Sequence, residues 1–355
     1  MEDEKVRLGF VGTGRMGQCA HLRNYVALSS ECEVAALAEL RSNTGTAVAQ
    51  RFGIGKVYAD AEEMLTAEEL DGIVASQMFC RHETLLKQIL KYGLPVFIEK
   101  PLADCVETGE RILSMIGQYN ARVMVGYHKR SDPATAYAKS AVDRFIKSGE
   151  LGRMKYVRIT MPIGEWICGG FDLLVAEVDE EVRLARDPKP SSLGPERYSR
   201  LFGFVNYYIH QINLLRLLLG ESYRVTHADP AGVLLVGRGT SGIPCLIEMN
   251  PYSTSLAWEE SALTSFEHGY VRLDLPAPMA LNRPGRVEIL HDPANGATPR
   301  TIIPHLPWVH AMKEQAMRFI RFVRGTAQPP CGPEEALEDL RVAQSYLDLF
   351  DEQHA

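Results

Sequence analysis

Val6 to Val11 is a short apolar run that passes directly into Gly12-Thr13-Gly14-Arg15-Met16-Gly17, and a helical pattern follows from Gln18. A G-x-G-x-x-G set between strand and helix leaves few folds open. Its glycines allow the tight turn, let a pyrophosphate approach the main chain and let helix and strand pack closely, while the helix N-terminus draws negative charge. Glycine-rich turns are common, so the context carries the reading. Glu33 to Leu40 reads as a second strand and ends with Glu39, about 20 residues beyond the last glycine, where an acid can accept both ribose hydroxyls of an adenosine half. Glu39 therefore favours NAD. Arg41 and Ser42 follow at once, and a guanidinium with a hydroxyl could instead hold the 2′-phosphate of NADP. The carboxylate would repel that phosphate, so NAD is expected ahead of NADP; Arg41 reads equally well as a solvated surface arginine.

The βα rhythm continues through Val57 to Asp60, a helix near Ala61 to Leu65, the strand Gly72 to Ala75 and a helix from about His82 to Lys91. Next comes Leu94 to Ala103, LPVFIEKPLA, whose apolar half reads as a buried strand that stops at Glu99-Lys100-Pro101. Proline has no N–H to donate and restricts the residue before it, so the ladder cannot continue. A helix near Cys105 to Tyr119 and the strand Arg122 to Tyr127 complete the pattern. Such alternation predicts a parallel, doubly wound sheet, in which ligands bind at the carboxyl edge of the strands. The glycine loop, Lys100 and the loop Ser76 to Arg81 all belong to that edge. Ser76, Gln77 and His82 are expected to line the nicotinamide half of a dinucleotide, as are Glu99 and Lys100. On the tripeptide alone, Lys100 also fits a solvated loop lysine.

At 355 residues the chain exceeds what one hydrophobic core usually serves, so two domains are expected, 1–127 and 128–355. Its 45 acids against 38 bases leave a net charge of −7, which argues against nucleic acid or an anionic membrane as partner. No apolar run approaches the ~18 residues of a membrane span, and MEDEKVRLGF does not resemble a signal peptide, so a cytosolic location is the default expectation. Cys19, Cys32, Cys80, Cys105, Cys168, Cys245 and Cys331 are scattered without C-x-x-C spacing, and no HExxH or clustered Asp/His set is present, so neither a disulfide framework nor a metal site is expected.

In the second half, alternation in Met154 to Pro162 and runs near 232–237, 245–250, 261–267 and 269–275 read as strands without intervening helices. This predicts an α+β domain on an open, mostly antiparallel sheet. Asn206, His210 and Asn213 recur at i, i+4 and i+7, which places them on one face of a helix that is apolar nearly all round and hence buried. A buried polar stripe needs partners. The blander possibility is an Asn206 N-cap with a satisfied core histidine behind it. Residues 164–204 read as a long loop carrying Trp166, an acidic segment at 177–181 and DPKPSSLGP, and long loops are often lids or binding loops. Trp166 could stack on a sugar face, although a packed aromatic is the better expectation. Val309 to Val323 and a last helix opened by Pro333 carry apolar stripes and read as structural.

The N-terminal dinucleotide loop, the acid closing the second strand, Glu99-Lys100-Pro101 and Gly126-Tyr127-His128-Lys129-Arg130-Ser131-Asp132-Pro133-Ala134 together resemble the Gfo/Idh/MocA oxidoreductase family. That family also shows a Leu-Gly rise before a long strand, matched by Leu151-Gly152, and an Asp-x-x-x-His-x-x-Asp helix, matched by Asn206 to Asn213. The resemblance runs over essentially the whole chain. It implies His210 as a catalytic histidine beside Lys100, and a C-terminal sheet that supports a homodimer or homotetramer. The chain departs from the pattern at both acids, now Asn206 and Asn213, at Tyr208, where glycine is common, and at Ser76-Gln77-Met78, where Thr-Pro-Asn is frequent. An asparagine cannot stabilise an imidazolium by charge, so His210 should be a weaker base and Lys100 should carry more of the proton transfer.

These readings converge on an NAD(P)-dependent oxidoreductase that moves hydride between nicotinamide and a secondary alcohol or ketone of a sugar, glycoside or cyclitol. Hydride leaves carbon readily only as the hydroxyl proton is removed, which calls for a base within hydrogen-bond reach; Lys100 and His210 are the candidates. A lysine beside a cationic nicotinamide has its ammonium disfavoured. His128, Lys129 and Arg130 are expected substrate contacts, with Asn206, Asn213 and Trp166. Two alternatives stay open: a redox-neutral NAD-dependent glycosidase, and a non-catalytic dinucleotide sensor that kept the fold.

Overall fold

A computed structural model describes residues 5–176 and 184–353, and the acidic segment at 177–181 lies outside them. The chain divides into two compact units: residues 1–127, 169–202 and 312–340 form the first, and residues 128–168, 203–311 and 341–355 the second.

In the first unit β1 (Val6–Val11) runs through Gly12 into a π-helical turn, Gly17–Leu22, and α1 (Arg23–Val26). There follow β2 (Cys32–Ala38), α2 (Ser42–Phe52), β3 (Val57–Tyr58), α3 (Ala61–Ala67), β4 (Gly72–Ala75), α4 (His82–Ile89), β5 (Val96–Glu99), α5 (Val106–Gln118) and β6 (Val123–Gly126). The strands pair in parallel in the order β3-β2-β1-β4-β5-β6. This is the doubly wound sheet expected from the βα alternation. Both faces are covered, so the strands read as nearly continuous apolar runs; Leu8, Phe10, Val74 and Phe97 are buried.

The second unit opens with α6 (Pro133–Ser148) and β7 (Met154–Ile163) and continues in α7 (Pro195–Leu219), whose first residues belong to the first unit. Seven further strands follow: β8 (Tyr223–Ala228), β9 (Leu234–Gly239), β10 (Pro244–Ser253), β11 (Glu260–Phe266), β12 (Gly269–Leu275), β13 (Arg286–His291) and β14 (Arg300–Ile302). They join β7 in one sheet of order β14-β13-β12-β11-β7-β10-β9-β8, antiparallel except where β10 runs parallel to β7. The open, mostly antiparallel sheet is therefore present. It is wider than the sequence suggested by β8, β13 and β14; β14 is exposed along its length, whereas β13 alternates regularly, with Val287 and Ile289 buried.

Two sequence readings need correction. Helix α7 begins at Pro195, nine residues before the end of the expected loop, with Glu196 in its first turn. A proline is well suited to a first helical turn, and an acid there favours the helix dipole. The boundary at residue 127 also holds only for the first crossing. Residues 169–202 return to the first unit, as does 312–340, which includes most of α8 (Ala311–Val323) and the start of α9 (Pro333–Glu352). The cause is packing: Ala316, Phe319, Ile320 and Phe322 of α8 complete the core that contains Leu8, Tyr25 and Phe97. Among the described residues, no helix is long and apolar enough to cross a membrane.

Candidate active site

Strand register sets the ligand edge of the first unit. Val11 lies opposite both Ala38 and Ala75, and Ala75 lies opposite Ile98. The next residue of each strand therefore joins a single row: Gly12, Glu39, Ser76 and Glu99. The three loop glycines serve different needs. Gly12 has φ +90°, and a Cβ there would meet the Ser76 carbonyl at 2.6 Å and the Gln77 amide at 2.3 Å. A Cβ on Gly17 would meet the Gly12 carbonyl at 2.4 Å, whereas one on Gly14 would meet nothing within 4 Å among the described residues. Gly14 thus faces open space, as a main chain approached by a ligand must. Arg15 is exposed and Met16 half-buried beside it.

Glu39 is the most heavily bonded acid in this row. Its carboxylate accepts the Thr13 amide at 2.8 Å and hydroxyl at 2.7 Å, and the Arg41 amide, Nε and Nη2 at 3.1, 2.8 and 2.9 Å. Burial alone would raise its pKa, but the Arg41 and Thr13 hydrogen bonds overcome that and hold it at about 2. Arg41 is neither a solvated surface residue nor turned away from the acid. It is a partner of Glu39.

Glu99 is held in a comparable way. Its Oε1 pairs with Nε2 of buried His21, on the π-helical turn after the glycine loop, and its Oε2 accepts the Lys100 amide at 2.9 Å. Against the cost of burial, His21 and then Lys100 hold the carboxyl at about 2. Lys100 itself is half-buried, one residue beyond β5, in a cis peptide with Pro101. The role of His21 was missed at the sequence level, since a single histidine ten residues beyond the strand carries no periodic signal.

In the loop after β4, Ser76 and Gln77 lie against Gly12, and the Gln77 Oε1 also accepts Arg81 at 2.6 Å. His82 differs. It is fully buried, and its Nδ1 bonds the Leu102 carbonyl at 3.0 Å, so it joins the loops after β4 and β5 from inside. Burial pulls its pKa below the ordinary histidine value. We therefore correct its reading from a cofactor contact to an interior support. The long loop likewise has fixed ends: Val175 and Gln18 exchange two hydrogen bonds, and Asp187 accepts the Glu83 and Thr84 amides at the start of α4.

In the second unit, residues His128–Ser131 form a 3-10 turn that packs on α7. The rings of His128 and His210 meet edge to face with centroids 4.7 Å apart. Asn206 is exposed, His210 half-buried and Asn213 buried, so the expected polar face deepens along the helix. Asn213 Oδ1 accepts Nε of Arg130 at 2.7 Å. Lys129 corrects a second reading: it is 5% exposed, ion-paired to the buried Glu260 and 5.9 Å from the Trp258 ring. Burial pushes its pKa down and Glu260 opposes that push. A lysine so engaged is a structural cation, not an open clamp. Trp166 is 37% exposed, and its carbonyl accepts the Met279 amide. Among the described residues, no three His, Cys, Asp or Glu side chains are grouped to hold a metal.

The glycine row and its acid fit a dinucleotide, and comparison with known proteins agrees. Residues 6–127 match the family model described as an oxidoreductase family with an NAD-binding Rossmann fold, GFO_IDH_MocA. Over its first unit the chain thus resembles the Gfo/Idh/MocA family. Among curated proteins, it is 25% identical over 305 residues to inositol 2-dehydrogenase of Burkholderia lata, covering 81% of this chain and 80% of that one. Among solved structures of the fold, apo scyllo-inositol dehydrogenase from Lactobacillus casei superimposes with a TM-score of 0.70 at 16% identity, over 99% of this chain and 98% of that one. An oxidoreductase from Agrobacterium radiobacter in complex with NAD+, L-tartaric acid and magnesium gives a TM-score of 0.70 at 14% identity, over 99% and 97%.

Proposed function

We propose that the protein is an NAD-dependent oxidoreductase of a secondary alcohol or ketone on a cyclitol or sugar. The observation that carries this is the single row of Gly12, Glu39, Ser76 and Glu99, with Lys100 following Glu99 at the same edge of the sheet. The relatives named as inositol dehydrogenases support the substrate class.

Bound NAD supplies the hydride acceptor. The main chain at Gly14 takes the pyrophosphate, and Glu39 takes the adenosine ribose hydroxyls. Lys100 holds or removes the proton of the substrate hydroxyl at its Nζ, which is the step that lets hydride depart. Glu99 fixes the Lys100 main chain through its amide. In this reading His210 is the second proton-handling group, with Asn206, Asn213, His128, Arg130 and Trp166 around the polyol. A homo-oligomer formed through the β7–β14 sheet completes the proposal.

The test is NADH formation from myo-inositol, scyllo-inositol and a panel of aldoses, with NAD and NADP compared. Turnover of at least one polyol with NAD, and its loss in Lys100→Met with NAD binding retained, is the expected result. Full turnover in Lys100→Met would remove Lys100 from the mechanism, and no NADH from any polyol would remove the substrate class.

A further inference from the structure

One carboxylate in the second unit ties together the two chain segments that carry the paired histidines. Glu260, at the first residue of β11, accepts Lys129 at both oxygens and the Gln211 amide at 2.8 Å on Oε1. Lys129 follows His128 in the chain, and Gln211 follows His210. The bonds to Glu260 therefore fix the neighbours of both histidines, whose rings meet at 4.7 Å. A second tie runs between the same two segments, from Arg130 to Asn213. Glu260, Lys129 and Gln211 are 2%, 5% and 0% exposed, so no solvent competes for these bonds.

A buried ion pair is weak evidence for stability, because an apolar replacement of similar volume is often as stable; the better-attested use is to select one arrangement. Gln211 sharpens this. Leucine or methionine would fill its buried position on the apolar side of α7 without an amide to satisfy. Its Nε2 goes to Glu260, while its Oε1 has no hydrogen-bond partner among the described residues.

We propose that Glu260 is a positioning residue, which through Lys129 and Gln211 holds the His128 and His210 rings in a single arrangement for the substrate. The proposal rests on the reading of His210 as a proton-handling group. Misplacement of a reacting group by about 1 Å costs up to about 100-fold in rate, so loss of one of the two ties should cost roughly tenfold.

The experiment uses the full-length protein, two variants of the clamp and a His210→Ala background. Glu260→Gln leaves Lys129 buried beside a neutral amide and risks misfolding; Gln211→Met removes only the hydrogen bond and carries no charge cost. Histidine ring NMR signals are recorded without substrate, and kcat and KM are measured on the best polyol. The expected result for Gln211→Met is shifted His128 and His210 ring signals, kcat down about tenfold, NAD affinity unchanged and no further loss when the change is made in a His210→Ala background. Unmoved ring signals would overturn the clamp, as would a loss of the same size in the His210→Ala background. If His210→Ala itself turns over normally, the catalytic reading of His210 fails, and the ring signals alone still decide the clamp.

Discussion

His21 Nε2 bonds the Glu99 carboxylate, and so joins the helix after the glycine loop to the residue that precedes Lys100. Two elements far apart in sequence thereby share one buried hydrogen bond at the ligand edge. His21→Ala should leave Glu99 buried with less compensation, which costs more than loss of a surface pair. We expect thermal unfolding to shift down by several degrees and NAD affinity to fall; equal melting and equal affinity would show that the pair does not organise this edge.

The pH dependence of that edge has a definite sign. Glu39 and Glu99 are both held at about 2, below the ordinary 4.5. Carboxyls depressed in the folded state contribute stability that is present above the unfolded value and lost as pH falls from about 4.5 through about 2. Each contributes on the order of 3 kcal/mol at neutral pH. Denaturant unfolding between pH 6 and 2 should fall steeply in the native chain and less steeply in Glu39→Gln, where one of the two groups no longer titrates.

Asp132 behaves in the opposite sense. It caps α6 by accepting the Ala134 amide, and it also accepts the Gly285 amide, yet burial raises its pKa to about 6. A carboxyl raised in the folded state contributes stability below its unfolded value near 4 that is lost as pH rises through about 6. Asparagine can accept the same bonds without ionising. Asp132→Asn should therefore be more stable than the native chain at pH 8, by about 1–3 kcal/mol, and no more stable at pH 4. A constant difference across that range would contradict the assignment.

The three loop glycines should separate binding from folding. Gly12→Ala and Gly17→Ala force a Cβ against carbonyl oxygens 2.6 and 2.4 Å away and should lower the melting temperature. Gly14→Ala meets nothing within 4 Å among the described residues and should melt like the native chain while binding NAD at least about tenfold more weakly, because the methyl group occupies the space a pyrophosphate needs. Calorimetric titration with NAD beside a thermal melt checks both halves.

Arg41 decides the second cofactor preference. Its guanidinium lies on Glu39, where it would have to turn to meet a 2′-phosphate. Arg41→Ala should leave NAD affinity within about threefold and weaken NADP by about tenfold or more, whereas Glu39→Gln should narrow the gap between the two by removing the like-charge repulsion. An Arg41→Ala variant that loses NAD as severely as NADP would mean that Arg41 serves mainly to hold Glu39 in place.

Much of this protein is local chemistry and could be read directly. The G-x-G-x-x-G between strand and helix, the acid at Glu39, the stop at Lys100-Pro101 and the change from βα units to successive strands each depend on residues close in the chain, whose turn geometry, periodicity and missing donors are intrinsic. Those features determined the doubly wound sheet, the open second sheet and the edge to which Lys100 belongs. Partner choice among buried charges was decided only in three dimensions. Nothing in the sequence joins His21 to Glu99, Lys129 to Glu260 across 131 residues, or Asp187 to the start of α4. A charged group leaving water must take whichever opposite charge or donor the packing delivers, and that delivery depends on strand order and helix docking, not on neighbours in the chain. For that reason Lys129 and His82, reasonable ligand contacts by position, are interior supports in the folded molecule.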